Sequence, residues 1–297
     1  MSQIRFSGNY PAVPTPFQGN GEIDFEHLKF NIEKLNQLPL EGYVIGGSNG
    51  EFAFQSVEER VQVVQAVREW LPNDRFLIAG AGMESTHATI DLTKRMADAG
   101  AHAALIVTPH YFTGKMTAEA LEHHYHSVAE ASPLPILLYS VPANTGLILP
   151  AEAVLRLAPH PNIVGMKDSG GDITRIGYLV NYTPDDFSIF AGSAGFYLGA
   201  LAIGAAGLVG ALANIATTDL ARMVDAFRKG QFESAREIQL RLIAPNYAVT
   251  SQFGVAGLKS AMEMMGFYGG PVRSPLLPLS SDEKIELRRI LEEGQLL

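Results

Sequence analysis

Lys167 closes the apolar run Ile163-Val164-Gly165-Met166 and is followed by Asp168-Ser169-Gly170-Gly171, which puts an amine at the end of a short buried strand. A neutral amine adds to a ketone, expels water and leaves an iminium whose charge draws electrons from the adjacent carbon. In water such an amine is rarely neutral at pH 7, but apolar walls around it disfavour the ammonium form. The alternative is a lysine that snorkels to the protein rim and pairs with Asp168. Tyr139 ends a similar run, Ile136-Leu137-Leu138, and a phenol beside such an amine can relay protons. Its alternative is a core tyrosine with a satisfied hydroxyl.

A third chemical element is the turn Gly46-Gly47-Ser48-Asn49-Gly50-Glu51. Its successive backbone N–H groups and two polar side chains suit a carboxylate. The spacing is neither G-x-G-x-x-G nor a P-loop, so nucleotide binding has little support. Taken alone, the turn reads as an ordinary strand-to-helix connection.

These groups need a scaffold that gathers strand ends. Short apolar runs at Gly8–Val13, Gly42–Ile45, Phe76–Ala79, Ala103–Val107, Ile136–Tyr139, Ile163–Met166, Ser188–Ala191 and Gly207–Leu212 read as strands. Between them lie amphipathic stretches at Asp24–Asn36, Val57–Leu71, Thr86–Ala99, Ala118–Ala131, Pro150–Leu157, Thr174–Asn181, Ala194–Ile203 and Thr218–Phe227. Asp24, Ser85 and Thr117 read as N-caps, and Ser56-Val57-Glu58-Glu59 as a capping box. Repeated strand–helix units mean a parallel sheet. An open doubly wound sheet also satisfies the pattern. The eight repeats and short connections favour an α/β architecture of the closed (β/α)8 TIM barrel type, over residues 1–230. Phe232–Met265 and Asp282–Glu293 then form a C-terminal helical extension, 231–297, packed on the barrel.

In such a barrel the active site lies past the C-terminal strand ends. Besides the groups above, that rim collects Thr108-Pro109-His110-Tyr111, Gly192-Ser193 and Asn214. His123, His124 and His126 read as a solvated helix face, since helical spacing separates neighbours. Asp172 and Arg175 read as capping and surface pairing. Gly199, Gly204 and Gly207 read as close packing points between helix and sheet.

Composition narrows the classes. Among 297 residues there are 31 acidic against 22 basic ones and a formal charge of −9, which argues against nucleic acid or an anionic membrane as partner. With no cysteine, disulfides, thiolate metal sites and Cys nucleophiles are excluded. No metal ligand set stands at the strand ends, and no cofactor is expected. The stretch Met1–Pro16 has no signal-peptide pattern, so a cytoplasmic location is expected, or the mitochondrial matrix for a eukaryotic chain with its transit peptide removed.

Three motifs in order, Gly47-Ser48-Asn49-Gly50-Glu51, Tyr139-Ser140-Val141-Pro142-Ala143-Asn144-Thr145-Gly146 and Gly165-Met166-Lys167-Asp168-Ser169-Gly170-Gly171-Asp172, resemble the dihydrodipicolinate synthase / N-acetylneuraminate lyase superfamily over essentially the whole chain. The resemblance implies a class I mechanism, with Lys167 forming a Schiff base with a 2-oxo acid, Tyr139 relaying protons, and Ser48 and Asn49 holding the carboxylate. It implies a homotetramer in which Tyr111 reaches a neighbouring subunit's site. The wording, including Ala191-Gly192-Ser193-Ala194-Gly195-Phe196 and Phe267-Tyr268-Gly269-Gly270-Pro271, is most similar to the mitochondrial-type 4-hydroxy-2-oxoglutarate aldolase branch. That branch cleaves its substrate to pyruvate and glyoxylate. Synthases of the superfamily usually carry Thr-Thr in place of Ser48-Asn49 and Arg in place of Asn144. On this reading Asn49, Ser169 and Ser193 are candidates for recognising the second half of the substrate, and Asn144 and Gly192 count with them among the substrate-binding residues. Other readings stay open: a lyase or dehydratase of sugar-derived 2-oxo acids, a dihydrodipicolinate synthase, a metal-dependent aldolase, and an oxo-acid-binding barrel without turnover.

Overall fold

The structure, a computed structural model, describes residues 6–297; the first five residues of the stretch read for targeting signals lie outside it. Eight parallel strands follow one another round a barrel: β1 (Gly8–Pro11), β2 (Gly42–Ile45), β3 (Phe76–Gly80), β4 (Ala103–Val107), β5 (Ile136–Ser140), β6 (Ile163–Asp168), β7 (Ser188–Ala191) and β8 (Gly207–Gly210). β8 pairs with β1, and an Ala12–Val44 bridge joins β1 to β2 and completes the ring. The helices are α1 (Phe25–Leu35), α2 (Val57–Trp70), α3 (Thr86–Asp98), α4 (Ala118–Ala131), α5 (Pro142–Thr145), α6 (Ala151–Leu157), α7 (Ile173–Tyr182), α8 (Tyr197–Ala202), α9 (Thr217–Arg228), α10 (Phe232–Tyr247), α11 (Gly254–Met264) and α12 (Ser281–Glu293). The closed ring settles the choice between a barrel and an open sheet.

Local chemistry starts these helices where the sequence predicts. Asp24, Ser85 and Thr117 each accept a backbone N–H from the first turn, and Ser56 and Glu59 cap one another reciprocally. Alternation along each strand then sorts side chains between two cores. Tyr43 and Ile45 face the helices, whereas Val44 joins Tyr10, Ile78, Leu105, Leu137 and Phe190 inside the barrel.

Some boundaries differ from the sequence reading. β1 and β8 stop at Pro11 and Gly210, short of Val13 and Leu212: Ala12 and Val13 bond Gly210 and Val44 as an isolated bridge, and Leu212 opens a 3₁₀ turn. β6 runs on to Asp168, so Lys167 is a strand residue. A short helix, α5, precedes α6 in the connection after β5. The stretch Phe232–Met265 is not one helix: a wide π-helical turn at Ala248–Gln252 ends α10, and Gly254, at φ +57°, starts α11 in a conformation no α-helix continues through. No helix among the described residues is long and apolar enough to cross a membrane.

Candidate active site

β6 carries an irregularity that decides where Lys167 points. Ile136 pairs with Ile163, but the next residue, Leu137, pairs with Gly165, so Val164 is one residue extra on β6. Before it Ile163 faces the helices; after it Met166 does, although strict alternation would turn Met166 inward. The bulge thereby brings Lys167 to the inner face beside Tyr139, its register partner. Gly165 makes this possible, since a Cβ there would lie 2.2 Å from the Ser188 carbonyl oxygen.

At the inner wall Lys167 and Tyr139 are 5% and 4% exposed, and Lys167 Nζ lies 4.3 Å from the centre of the Tyr139 ring. Burial pushes the Tyr139 phenol up, but the Lys167 charge and the polar groups of Ser48, Ser169 and Lys167 that surround the phenol oxygen outweigh it and hold the phenol below its ordinary value. The two residues are therefore coupled, and the phenol is poised to give and take a proton at the amine.

Ser48 and Asn49 stand on a tight turn, Ser48–Gly50, whose internal bonds run from Gly50 N to Gly47 O and from Glu51 N to Ser48 O. The amides of Ser48 and Asn49 take no part in those bonds. Gly46, at φ +70°, makes the sharp exit from β2. The Asn49 side chain leans toward Ala12 O at 3.4 Å. Gly192 is seated on Ser169: a Cβ there would lie 1.9 Å from Ser169 Oγ and 2.7 Å from Asp168 O. The mouth thus joins Lys167, Tyr139, Ser48, Ser169 and Gly192.

Other sequence-predicted residues sit differently. Ser193 Oγ accepts the Asn246 amide at 2.9 Å and turns toward α10. Asn144 is exposed on α5. Tyr111 is 77% exposed beside Phe112, and its backbone N–H, like that of His110, is held by Glu84 Oε2. Asn214 is fully buried and spends its amide on Ala12 O and Ala211 O, tying β8 to β1 instead of lining the rim.

Asp168 is not the partner of Lys167. Next along the strand it faces outward and pairs with Arg175 at 3.0 Å, both largely buried, so the expected surface pairing of Arg175 is a buried ion pair; Asp172 caps α7 as predicted. The histidine triplet is not a uniform solvated face either. His124 is buried against Thr86 Oγ1, and burial pushes it down to about 4. His126, Glu130 and His160 bring ligand atoms within 4.8 Å of one another. Yet His160 Nδ1 accepts the Asn162 N–H, which leaves the ring proton on Nε2, facing Glu130. That tautomer has no lone pair to offer a metal from this face. Of the three glycines read as helix–sheet packing points, Gly204 is close-packed, with a Cβ 2.9 Å from Val180; Gly207 is pressed instead by the neighbouring strand, 2.0 Å from Gly8 O, and Gly199 meets only ordinary contact, 3.5 Å from Ile173.

Sequence reading missed Arg60. It heads the buried stripe of α2 with Val63, Val64 and Val67, lies over the Phe52 ring at 5.0 Å, and donates to Gly80 O at 2.8 Å. Burial lowers it to about 10. With Gly46, Gly82 and Tyr139 it lines a small cleft of about 10 Å³ at the mouth. A cation at the head of an apolar helical stripe was the available signal. A larger cavity, about 310 Å³, lies between α1, α9 and the C-terminal tail, and neither Lys167 nor Tyr139 lines it.

The chain as a whole has known relatives. The model of the dihydrodipicolinate synthetase family matches residues 5–294. The chain belongs to that family. A relative from Methanothrix thermoacetophila, named 4-hydroxy-tetrahydrodipicolinate synthase, is 37% identical over 287 residues, with 96% of each chain covered. Among solved structures, a dihydrodipicolinate synthase of Bacillus anthracis superposes with TM-score 0.94 at 33% identity, covering 97% of this chain and 98% of its own. The chloride-inhibited enzyme of Acinetobacter baumannii, complexed with pyruvate, gives 0.92 at 31% identity, covering 98% and 99%. These relatives carry the synthase name, so likeness to the aldolase branch is not what they support. Members of this dihydrodipicolinate synthetase family are enzymes of the aldolase type, and this chain has their barrel.

Proposed function

We propose that this protein captures a 2-oxo acid as an imine on Lys167 and cleaves 4-hydroxy-2-oxoglutarate to pyruvate and glyoxylate. The observation that carries the capture step is the buried Lys167–Tyr139 pair on the inner wall. In the reaction, the amine adds to the C2 carbonyl, and Tyr139 supplies the proton with which the carbinolamine oxygen leaves as water. The resulting Tyr139 phenolate takes the C4 hydroxyl proton as the C3–C4 bond breaks; the electron pair of that bond flows into the iminium and gives an enamine plus glyoxylate. Protonation of the enamine and hydrolysis return pyruvate and the free amine. The Ser48–Asn49 turn is assigned to the oxo acid's carboxylate.

The choice of substrate rests on Asn144, standing where synthases of the superfamily usually carry arginine, and on Ser48-Asn49 in place of Thr-Thr. A second reading, condensation of pyruvate by a 4-hydroxy-tetrahydrodipicolinate synthase, is favoured by the names of the relatives. Borohydride with pyruvate is expected to fix reduced pyruvate on Lys167 in both cases, and Lys167→Ala to abolish it. Rates on 4-hydroxy-2-oxoglutarate, on pyruvate with aspartate semialdehyde, and on 3-deoxy-2-oxo sugar acids separate the readings; selectivity for either of the latter two overturns the aldolase assignment. The exposed Tyr111–Phe112 pair supports assembly into a homotetramer, which sedimentation of the purified protein tests.

A further inference from the structure

Glu51 closes the turn that presents Ser48, and its backbone lies in the left-handed region at φ +58°, which a residue with a side chain seldom occupies. Such a conformation persists only where its surroundings over-determine it. Here the surroundings come from the far end of the chain. Lys259, on α11, brings Nζ to 2.6 Å from Glu51 Oε1 and donates to Pro271 O at 2.8 Å. The second carboxylate oxygen of Glu51 accepts the backbone N–H of Arg273 at 2.8 Å. Glu51 and Lys259 are 3% and 1% exposed. The Phe17 ring serves both cations, with Lys259 Nζ 4.5 Å and Arg273 Cζ 4.4 Å from its centre.

The Phe267-Tyr268-Gly269-Gly270-Pro271 stretch explains how the chain gets there. A Cβ at Gly269 would lie 2.1 Å from the Lys259 carbonyl oxygen, so only glycine lets this segment lie directly on α11. Beyond it, the Arg273 guanidinium grips Phe54 O at 2.7 Å and both oxygens of Glu59, fixing the other end of the same loop at the start of α2.

A buried ion pair is a poor device for stability alone, because apolar residues of equal volume serve as well or better; its best-attested use is to select one geometry. The geometry selected here is that of a strained residue adjoining Gly50, two positions from Asn49. We propose that Lys259 and Glu51 are positioning residues for the oxo-acid site: they lock the Ser48-Asn49-Gly50 turn in the shape that receives the substrate carboxylate and meets the Tyr139 phenol. The C-terminal helices are thereby part of the binding site without touching substrate. This rests on the imine-forming reading above.

The test is pyruvate-dependent borohydride trapping on the full chain, read as the pyruvate concentration giving half-maximal adduct. Glu51→Gln keeps the shape and the acceptor for Arg273 N but removes the charge, and Lys259→Met removes the ammonium. Each is expected to raise half-saturation roughly tenfold, as displacement of a binding turn by a fraction of an ångström does. Adduct at saturating pyruvate should match wild type, and Lys259→Arg should restore most of the affinity. A role in folding alone would instead lower the soluble or trappable fraction and leave half-saturation unchanged; that result, or insolubility of both charge-removing variants, overturns the proposal. Absence of any wild-type adduct overturns the imine reading and this inference with it. A wild-type adduct with unaltered half-saturation in the variants overturns this inference alone.

Discussion

Tyr139 and Lys167 are register partners across β5 and β6, and they share the inner face because Val164 is an extra residue in β6. A regular β6 would carry Lys167 to the helix side, where Asp168 now meets Arg175, and turn Met166 toward the mouth. One residue of slippage thus separates an amine on the barrel's inner face from a buried structural cation. The bulge in turn depends on Gly165 lying flat against β7.

Gly165→Ala is therefore expected to impair chemistry and stability together. The added methyl would meet the Ser188 carbonyl, a backbone atom that cannot swing aside, so β6 and β7 must part. Overpacking of this kind costs about 1–3 kcal/mol. Denaturant unfolding reads that loss, and pyruvate trapping reads the displacement of Lys167. Wild-type trapping in a stable variant would show that the amine's orientation does not depend on the tight β6–β7 contact.

Tyr139 is expected to ionise ahead of the buried tyrosines Tyr10, Tyr43, Tyr125 and Tyr197. Burial opposes ionisation, but the Lys167 charge and the polar surroundings supplied by Ser48, Ser169 and Lys167 reverse the balance, whereas burial pushes Tyr10, Tyr43, Tyr125 and Tyr197 up. The absorbance of phenolate during alkaline titration, wild type minus Tyr139→Phe, isolates it. In Lys167→Ala the same difference curve should move to higher pH, because the largest opposing influence is gone. Tyr139→Phe should also lower kcat by roughly 10²–10⁴-fold, the usual contribution of a proton relay.

On the neighbouring strand end, just past β7, Gly192→Ala should act through Ser169. The new methyl overlaps Ser169 Oγ and crowds the Asp168 carbonyl, so Ser169 must leave the Tyr139 phenol. Turnover is expected to fall by as much as about 10²-fold with substrate binding less affected, in keeping with misplacement of a catalytic group by about 1 Å. Steady-state rates with the preferred substrate check this; an unchanged kcat would remove Ser169 from the relay.

Much of this was legible in the sequence, for definite reasons. Strand–helix alternation and capping residues are local signals, so Ser56, Ser85 and Thr117 were found at their caps. Lys167 and Tyr139 stood out because lysine seldom ends an apolar run and the two runs are neighbours. What escaped was non-local. The Val164 bulge is a relation between two strands, and nothing in Ile163-Val164-Gly165-Met166 announces it. The Lys259–Glu51 pair joins residues that only the folded barrel brings together. Residue type alone sends Arg175 and His124 to the surface, whereas Arg175 pairs with the buried Asp168 and His124 is itself buried against Thr86.

His124 makes the last of these misreadings measurable. Burial lowers its folded value to about 4 from an ordinary 6.5, so the unfolded chain binds a proton there between those values and the folded chain does not. Stability must rise with pH wherever the unfolded state holds more protons; the His124 contribution is therefore complete above pH 6.5, falls as pH drops toward 4, and levels off below. The full span corresponds to about 3 kcal/mol. His102, also lowered by burial and by the nearby Arg68 charge, acts with the same sign, so the wild-type slope alone does not isolate His124. His124→Gln removes the titration and can still bond Thr86 Oγ1. Unfolding free energies of the two proteins at pH 7 and pH 4.5 should therefore diverge, with the variant losing less on acidification. Parallel losses would mean that the imidazole is protonated in the folded state and that its pocket admits the charge.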